Sequence, residues 1–242
     1  MAAASVFMAA AAARQRRATA AFLPPLPPAV RAITTVREGP DSPTALIDCA
    51  TLIADSHSPA ALPVLVDILG YNNPIAAAVA VNALSRPETA AAATPLLLQG
   101  VAAFNYSVNA YALRALGALR DGGVAPVVVA AATGGPIPNV RRAAAAALAR
   151  LDVPDVGGVW ATLRGVAAEA EGDWSVRYAA VAAMEEFGVR GVGAAAQEGG
   201  AERDAAFELL RDLAGRERTG GPVDAVAARA QLALLALEGG GA

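Results

Sequence analysis

Nucleophile and base chemistry at neutral pH rests here on two side chains, each present once: Cys49 and His57. One thiol closes no intrachain disulfide, and one imidazole builds neither a metal cluster nor a nucleophile–base pair, so no metal is expected. Cys49 stands between Ile47 and Leu52 on an alanine-rich stretch, the setting of a small buried hydrophobe. His57 stands in a short polar loop facing solvent. The remaining chemistry is in rings and guanidinium groups. All four tyrosines (Tyr71, Tyr106, Tyr111, Tyr178) and Trp174 fall just before, or in the first two turns of, a helical stretch. As a set they suit the wall of an apolar binding surface; singly, each ring can pack at a helix start and fix its entry angle. Arg114, Arg141, Arg142 and Arg177 lie on the same stretches. A guanidinium fork pairs bidentately with a ligand carboxylate, or with an acid of a neighbouring element to hold a stack together. Asp173, directly before Trp174, reads first as a helix cap.

The elements that position these groups repeat. Asn72–Leu84, Phe104–Leu116, Asn139–Leu148 and Asp173–Met184 are near-copies: a polar turn, then small and apolar residues at three- and four-residue spacing. Aligning Ala76, Val108, Val140 and Val176 gives spacings of 32, 32 and 36 residues. A fixed period in this range marks stacked helical hairpins, so the expected fold is all-α, a helix-turn-helix repeat solenoid of about five repeats. The expected pairs are 58–69 with 74–84, 90–101 with 106–119, 124–132 with 139–151, and 156–168 with 174–187. Helices 202–213 and 223–237 form degenerate terminal repeats. A helix opening at Ser42 and Pro43 caps the N-terminal end of the stack. The chemistry-bearing residues belong to second helices, which line the concave face of such a solenoid, its usual binding surface.

Composition excludes several classes. Hydrophobic residues make up 55 % of the 242-residue chain, but much of this is alanine and aromatics are only 5 %. Stability should then come from many close helix–helix contacts and not from a few large anchors. The most apolar run, 124–132, is about half of what a membrane-spanning helix needs, so no membrane span is expected. All basic residues are arginine, and five of them (Arg14, Arg16, Arg17, Arg31, Arg37) precede the first acid, Glu38. The rest of a chain of net charge −3 is therefore acidic, which argues against nucleic-acid binding.

Residues 1–22 contain Ala, Arg, Ser and Thr and no acid, the composition of an organellar transit peptide; an unstructured tail or a mis-assigned start is the alternative. Residues 23–41 read as a Pro-rich linker, with a stiff Leu23–Pro28 run not to be forced into a helix. The solenoid then spans 42–238, and 239–242 is a Gly-rich tail.

The ordered set Ala61–Pro74, Asn105-Tyr-Ser107, Ala110–Leu116, Asn139–Ala145 and Asp173–Val181 resembles the HEAT-like subunits of heterodimeric phycobilisome bilin lyases, the phycocyanin α-type F subunit in particular. The resemblance covers about residues 42–187 and makes the solenoid HEAT-like. Asn109 departs from it, standing where such proteins commonly carry Arg, as does the Gly-rich loop after Asp121. The resemblance implies thioether attachment of an open-chain tetrapyrrole to a cysteine of a phycobiliprotein α chain. It also implies an E-type lyase subunit as partner and a chloroplast (plastid stroma) location. The bilin, phycocyanobilin or phycoerythrobilin, is then a transient substrate, with no tightly bound cofactor. Tyr71, Tyr106, Tyr111, Trp174 and Tyr178 become candidate walls for bilin or phycobiliprotein. Arg114, Arg141, Arg142 and Arg177 become partners for the two propionates, Asp173 a partner for pyrrole nitrogens, and Cys49 a candidate thioether carrier beside its reading as core. A non-catalytic HEAT adaptor or chaperone gripping phycobiliproteins during antenna assembly or disassembly is the alternative.

Overall fold

A computed structural model describes residues 27–169, 171–190, 200–216 and 221–239. Among them are twelve α-helices: α1 (Pro28–Glu38), α2 (Pro43–Asp55), α3 (Leu62–Ile68), α4 (Pro74–Leu84), α5 (Ala90–Val101), α6 (Tyr106–Leu119), α7 (Ala125–Gly134), α8 (Pro138–Leu148), α9 (Val156–Ala168), α10 (Trp174–Arg190), α11 (Gly200–Ala214) and α12 (Pro222–Gly239). Successive helices pack as hairpins, α1 with α2 through α11 with α12. The second helices form one continuous layer, α2–α4–α6–α8–α10–α12, and first helices stack behind it. Each hairpin meets mainly its sequence neighbours, the organisation of a solenoid.

Local sequence sets the hairpin turns. The Ser42 hydroxyl accepts from the Ala45 amide at 3.1 Å, and Pro43 fills the first helical position, where a missing N–H costs nothing. Asn73 accepts from the Ile75 and Ala76 amides at 3.1 Å each to cap α4, and Asn105 accepts from Ser107 at 2.9 Å to cap α6. Both asparagines also look backwards. The Asn73 amide donates to the Pro43 carbonyl at 3.1 Å, and that of Asn105 reaches the Gly70 carbonyl at 3.5 Å. A side chain with both donor and acceptor thus caps its own helix and ties it to the hairpin before.

The core runs unbroken through the stack. First helices and turns supply branched side chains such as Leu62, Leu65, Leu97, Val128 and Leu163, while second helices present alanines such as Ala76, Ala80, Ala112, Ala144 and Ala180. Small residues let helix backbones approach closely: a Cβ on Gly117 of α6 would lie 2.7 Å from the Ala147 Cα of α8. Larger anchors appear near the C-terminal end, where Trp160 packs edge-on to Phe187 at 5.4 Å and beside Phe207 at 6.2 Å.

Three expectations change. Residues 28–38, assigned to the linker, form α1. Pro28 occupies a helix start, and Ala32 and Val36, one turn apart, are buried in the core. Proline stops a helix in its interior but opens one readily at its first turn. As a result α2 does not end the stack; α1 covers it, and the hairpins number six among the described residues, not about five. The C-terminal helices stand where the periodicity places them, with α11 packed on α9 and α12 on α10. The expected transit peptide, the first residues of the linker and the last three residues of the tail lie outside the described residues.

Candidate functional site

Two of the four candidate arginines are fastened into the scaffold. Arg177 is only 4 % exposed, and its Nε donates to the Ala167 carbonyl at the end of α9 at 3.0 Å. Burial pushes its guanidinium pKa down, with the nearby charge of Arg216 adding to the effect. Arg141 does the same one repeat earlier: Nε donates to the Ala132 carbonyl at 2.8 Å, and the other end of the fork pairs with Glu169 at 2.5 Å. Asn109, at the equivalent place in α6, donates to the carbonyls of Gly100, Val101 and Ala103 at 2.8 to 3.0 Å. In these three hairpins the position is therefore a cap for the C-terminal end of the first helix, where carbonyls lack helical partners. Asn109 performs it with a shorter side chain than the arginines that stand there in the next two hairpins.

Other candidates are also engaged in structure. The Asp173 carboxylate accepts from the Ser175 hydroxyl at 2.5 Å and from the amides of Ser175 at 2.8 Å and Val176 at 3.3 Å, which caps α10. The Ser175 hydroxyl chiefly, then these amides and the charge of Arg142, hold its pKa below the usual carboxylate range against a small cost of burial. Tyr71 donates its hydroxyl to the Val36 carbonyl at 2.7 Å and so locks α1 onto the second hairpin. Tyr111 is half-buried against the core, with the Arg114 guanidinium 5.1 Å above its ring. Tyr106 is exposed at the start of α6. Cys49 is buried; burial first, and the charge of Asp48 next, push its thiol pKa up, opposite to a reactive thiolate.

The other four candidates converge. Arg114, Arg142, Trp174 and Tyr178 line one groove of about 620 Å³ on the second-helix layer. Trp174 and Tyr178, four residues apart on α10, make one wall and are 45 % and 39 % exposed. Ala143, Ala146, Ala179 and Ala182 form the floor, which is flat because nothing extends beyond a methyl group. Arg114 and Arg142, both exposed, complete the lining. Glu186 closes one end, engaged by Arg150 at 2.7 Å. Asn139 and the floor alanines escape sequence reasoning, because a run of alanine signals helix and says nothing of which methyls stay uncovered. A shallow apolar bed with aromatic and cationic margins can hold a flat or extended ligand bearing carboxylates.

The description "HEAT repeats" fits residues 94–185, from α5 through most of α10. The chain is 34 % identical over 209 residues to the phycocyanobilin lyase subunit beta of Thermosynechococcus vestitus, covering 81 % of this chain and 91 % of that protein. To the subunit of the same name from Nostoc sp. PCC 7120 it is 36 % identical over 154 residues, 60 % of this chain and 75 % of the relative. The solved complex of CpcE and CpcF of phycocyanin lyase from that Nostoc includes a chain that superposes with a TM-score of 0.58 at 31 % identity. The match covers 72 % of this chain and 98 % of that one. Likeness extending through nearly a whole subunit, in sequence and in the stacking of its helices, places this chain in the phycocyanobilin lyase beta (F-type) subunit family of HEAT-repeat proteins.

Proposed function

We propose that this chain is the F-type subunit of a heterodimeric bilin lyase that, with an E-type partner, joins an open-chain tetrapyrrole to a cysteine of a phycobiliprotein α chain. The carrying observation is the extent of the likeness, 91 % of the Thermosynechococcus subunit and not one generic repeat. In the reaction the acceptor's thiolate adds to the bilin's ethylidene carbon, a C–S bond forms, and a proton ends on the pigment. The contribution read for this chain is to hold and orient. Trp174 and Tyr178 give a flat pigment an aromatic wall, and Arg114 and Arg142 give its propionates guanidinium partners. Phycocyanobilin or phycoerythrobilin is a substrate in transit and not a resident cofactor.

The groove's lining contains neither cysteine nor histidine, and its one carboxylate, Glu186, is paired with Arg150. That observation favours a second reading, a non-catalytic adaptor or chaperone for phycobiliproteins. Co-expression with a phycocyanin α chain, a bilin source and the E-type partner separates the two. Covalent, zinc-fluorescent bilin on the acceptor that requires both chains marks a lyase subunit; acceptor binding without transfer marks an adaptor. Trp174→Ala with Arg142→Ala should cut transfer while leaving the melting temperature near that of the parent; undiminished transfer would remove the groove from the reaction.

The acid-free residues 1–22 support plastid targeting as part of the same proposal. A fluorescent protein carrying residues 1–41 should enter the chloroplast stroma. Cytosolic retention would count against it.

A further inference from the structure

The two edges of the helical stack differ in character. Along one edge lie the loops between hairpins, with polar contacts between them: Arg86 donates to the Ala54 carbonyl at 2.7 Å, and ion pairs join Arg120 to Asp152 at 2.8 Å, Arg190 to Asp152 at 2.8 Å and Arg150 to Glu186 at 2.7 Å. Along the other lie the turns inside hairpins. Contacts between turns, Asn73 to Pro43, Asn105 to Gly70 and Arg141 to Glu169, together with the packing of α6 on α8 between them, set these turns in one row.

This turn edge carries exposed apolar side chains in four consecutive hairpins. Ile75, Phe104 with Tyr106, Ile137 and Trp174 sit at or beside the starts of α4, α6, α8 and α10. Phe104 is wholly exposed, and Ile75 and Tyr106 are each more than half exposed. Between the turns are hollows of about 540 Å³ at Ser42 and Asn73, 570 Å³ at Gly70 and Asn105, and 570 Å³ at Pro136 and Gly172. The edge is a row of apolar knobs with gaps between them.

Folding alone gives no reason for this row. The residues expose an area on the order of 500 Å² in sum, the greater part of the ~800 Å² that each partner contributes to a standard stable interface. Scattered exposed hydrophobics need no explanation, but a line of them at one place in successive repeats does. An apolar edge fits a permanent subunit better than a transient client, since obligate interfaces are the more hydrophobic.

We propose that the turn edge is the docking surface for the E-type subunit; this rests on the heterodimeric reading above. Trp174 belongs both to this edge and to the groove. A partner seated on the edge therefore reaches the groove's rim.

The test uses the full chain and its cognate E-type chain, with affinity measured by interferometry for Phe104→Asp, Ile75→Asp and, on the opposite edge, Asp152→Asn. The proposal expects Kd to rise about tenfold or more for each edge variant, with no comparable change for Asp152→Asn. Melting temperatures should match the parent, because the replaced side chains project into solvent. Edge variants that bind the E-type chain as tightly as the parent overturn the proposal. So do variants that bind it normally but lose only the phycobiliprotein, which would make the edge the client's site. Failure of the unsubstituted chain to bind any E-type partner would overturn the heterodimeric reading itself, and this proposal with it.

Discussion

Arginines of one type and neighbouring positions serve opposite purposes. Arg141 and Arg142 are adjacent, yet a 100° step around α8 points the first at the end of α7 and the second into the groove. Replacing Arg177 with Ala removes a buried donor from the Ala167 carbonyl and leaves space behind it. The expected loss is about 2–4 kcal/mol in urea unfolding, against less than about 0.5 kcal/mol for exposed Arg142→Ala. Asp173 makes a prediction with a sign. Its pKa is depressed in the fold, so its stabilisation is fully present above the unfolded carboxylate value, about 3.9, and is lost as pH falls through the lower folded value. Asp173→Asn, itself a good cap, should cost little at pH 7 and flatten the decline in stability below about pH 4. Asp173→Ala should cost about 1 kcal/mol at pH 7. Urea melts at pH 7 and at acid pH distinguish them.

At the scale of the element, the three hairpins α5–α6, α7–α8 and α9–α10 are each closed by a side chain from the second helix bonding the end of the first. Asn109→Ala takes three hydrogen bonds from the end of α5 and should destabilise the chain by about 1–3 kcal/mol. Asn109→Arg, which restores the arrangement of Arg141 and Arg177, should recover much of that loss; chemical denaturation of the three proteins decides. The close pass of α6 over α8 is the second point of sensitivity. Gly117→Ala places a methyl 2.7 Å from the Ala147 Cα, so the helices must part, at a cost of about 1–3 kcal/mol. A larger side chain there should abolish folding of the central hairpins while an equally large one at exposed Ala118 should not.

For the whole molecule, stacking makes stability a property of neighbours. Hairpins at the middle are covered on both sides and those at the ends on one, so amide exchange should be slowest in α6, α8 and α10 and fastest in α1 and α12. Uniform protection along the chain would mean that the stack opens only as a unit. The ion-pair edge contributes less than its length suggests. Arg120 and Asp152 are both more than half exposed, so Asp152→Asn should change stability by no more than about 1 kcal/mol.

The sequence by itself determined the repeat, most helix limits and the family, because a hairpin's start is encoded locally: Asn73, Asn105 or Asp173 as cap, then small residues at helical spacing. It misplaced α1, whose only helical evidence is two buried positions one turn apart behind a proline run. It also grouped five rings, four guanidiniums and a carboxylate as one site, since all lie on or just before the second helices of successive repeats. Tertiary structure divided them, sending Arg141 and Arg177 to carbonyl ends and Tyr71 to α1, and leaving Arg114, Arg142, Trp174 and Tyr178 around one bed of alanines. The physical reason is that repeat period fixes where along the rod a side chain sits. Only the rotation of each helix against its neighbours fixes whether it faces a carbonyl, the core or solvent.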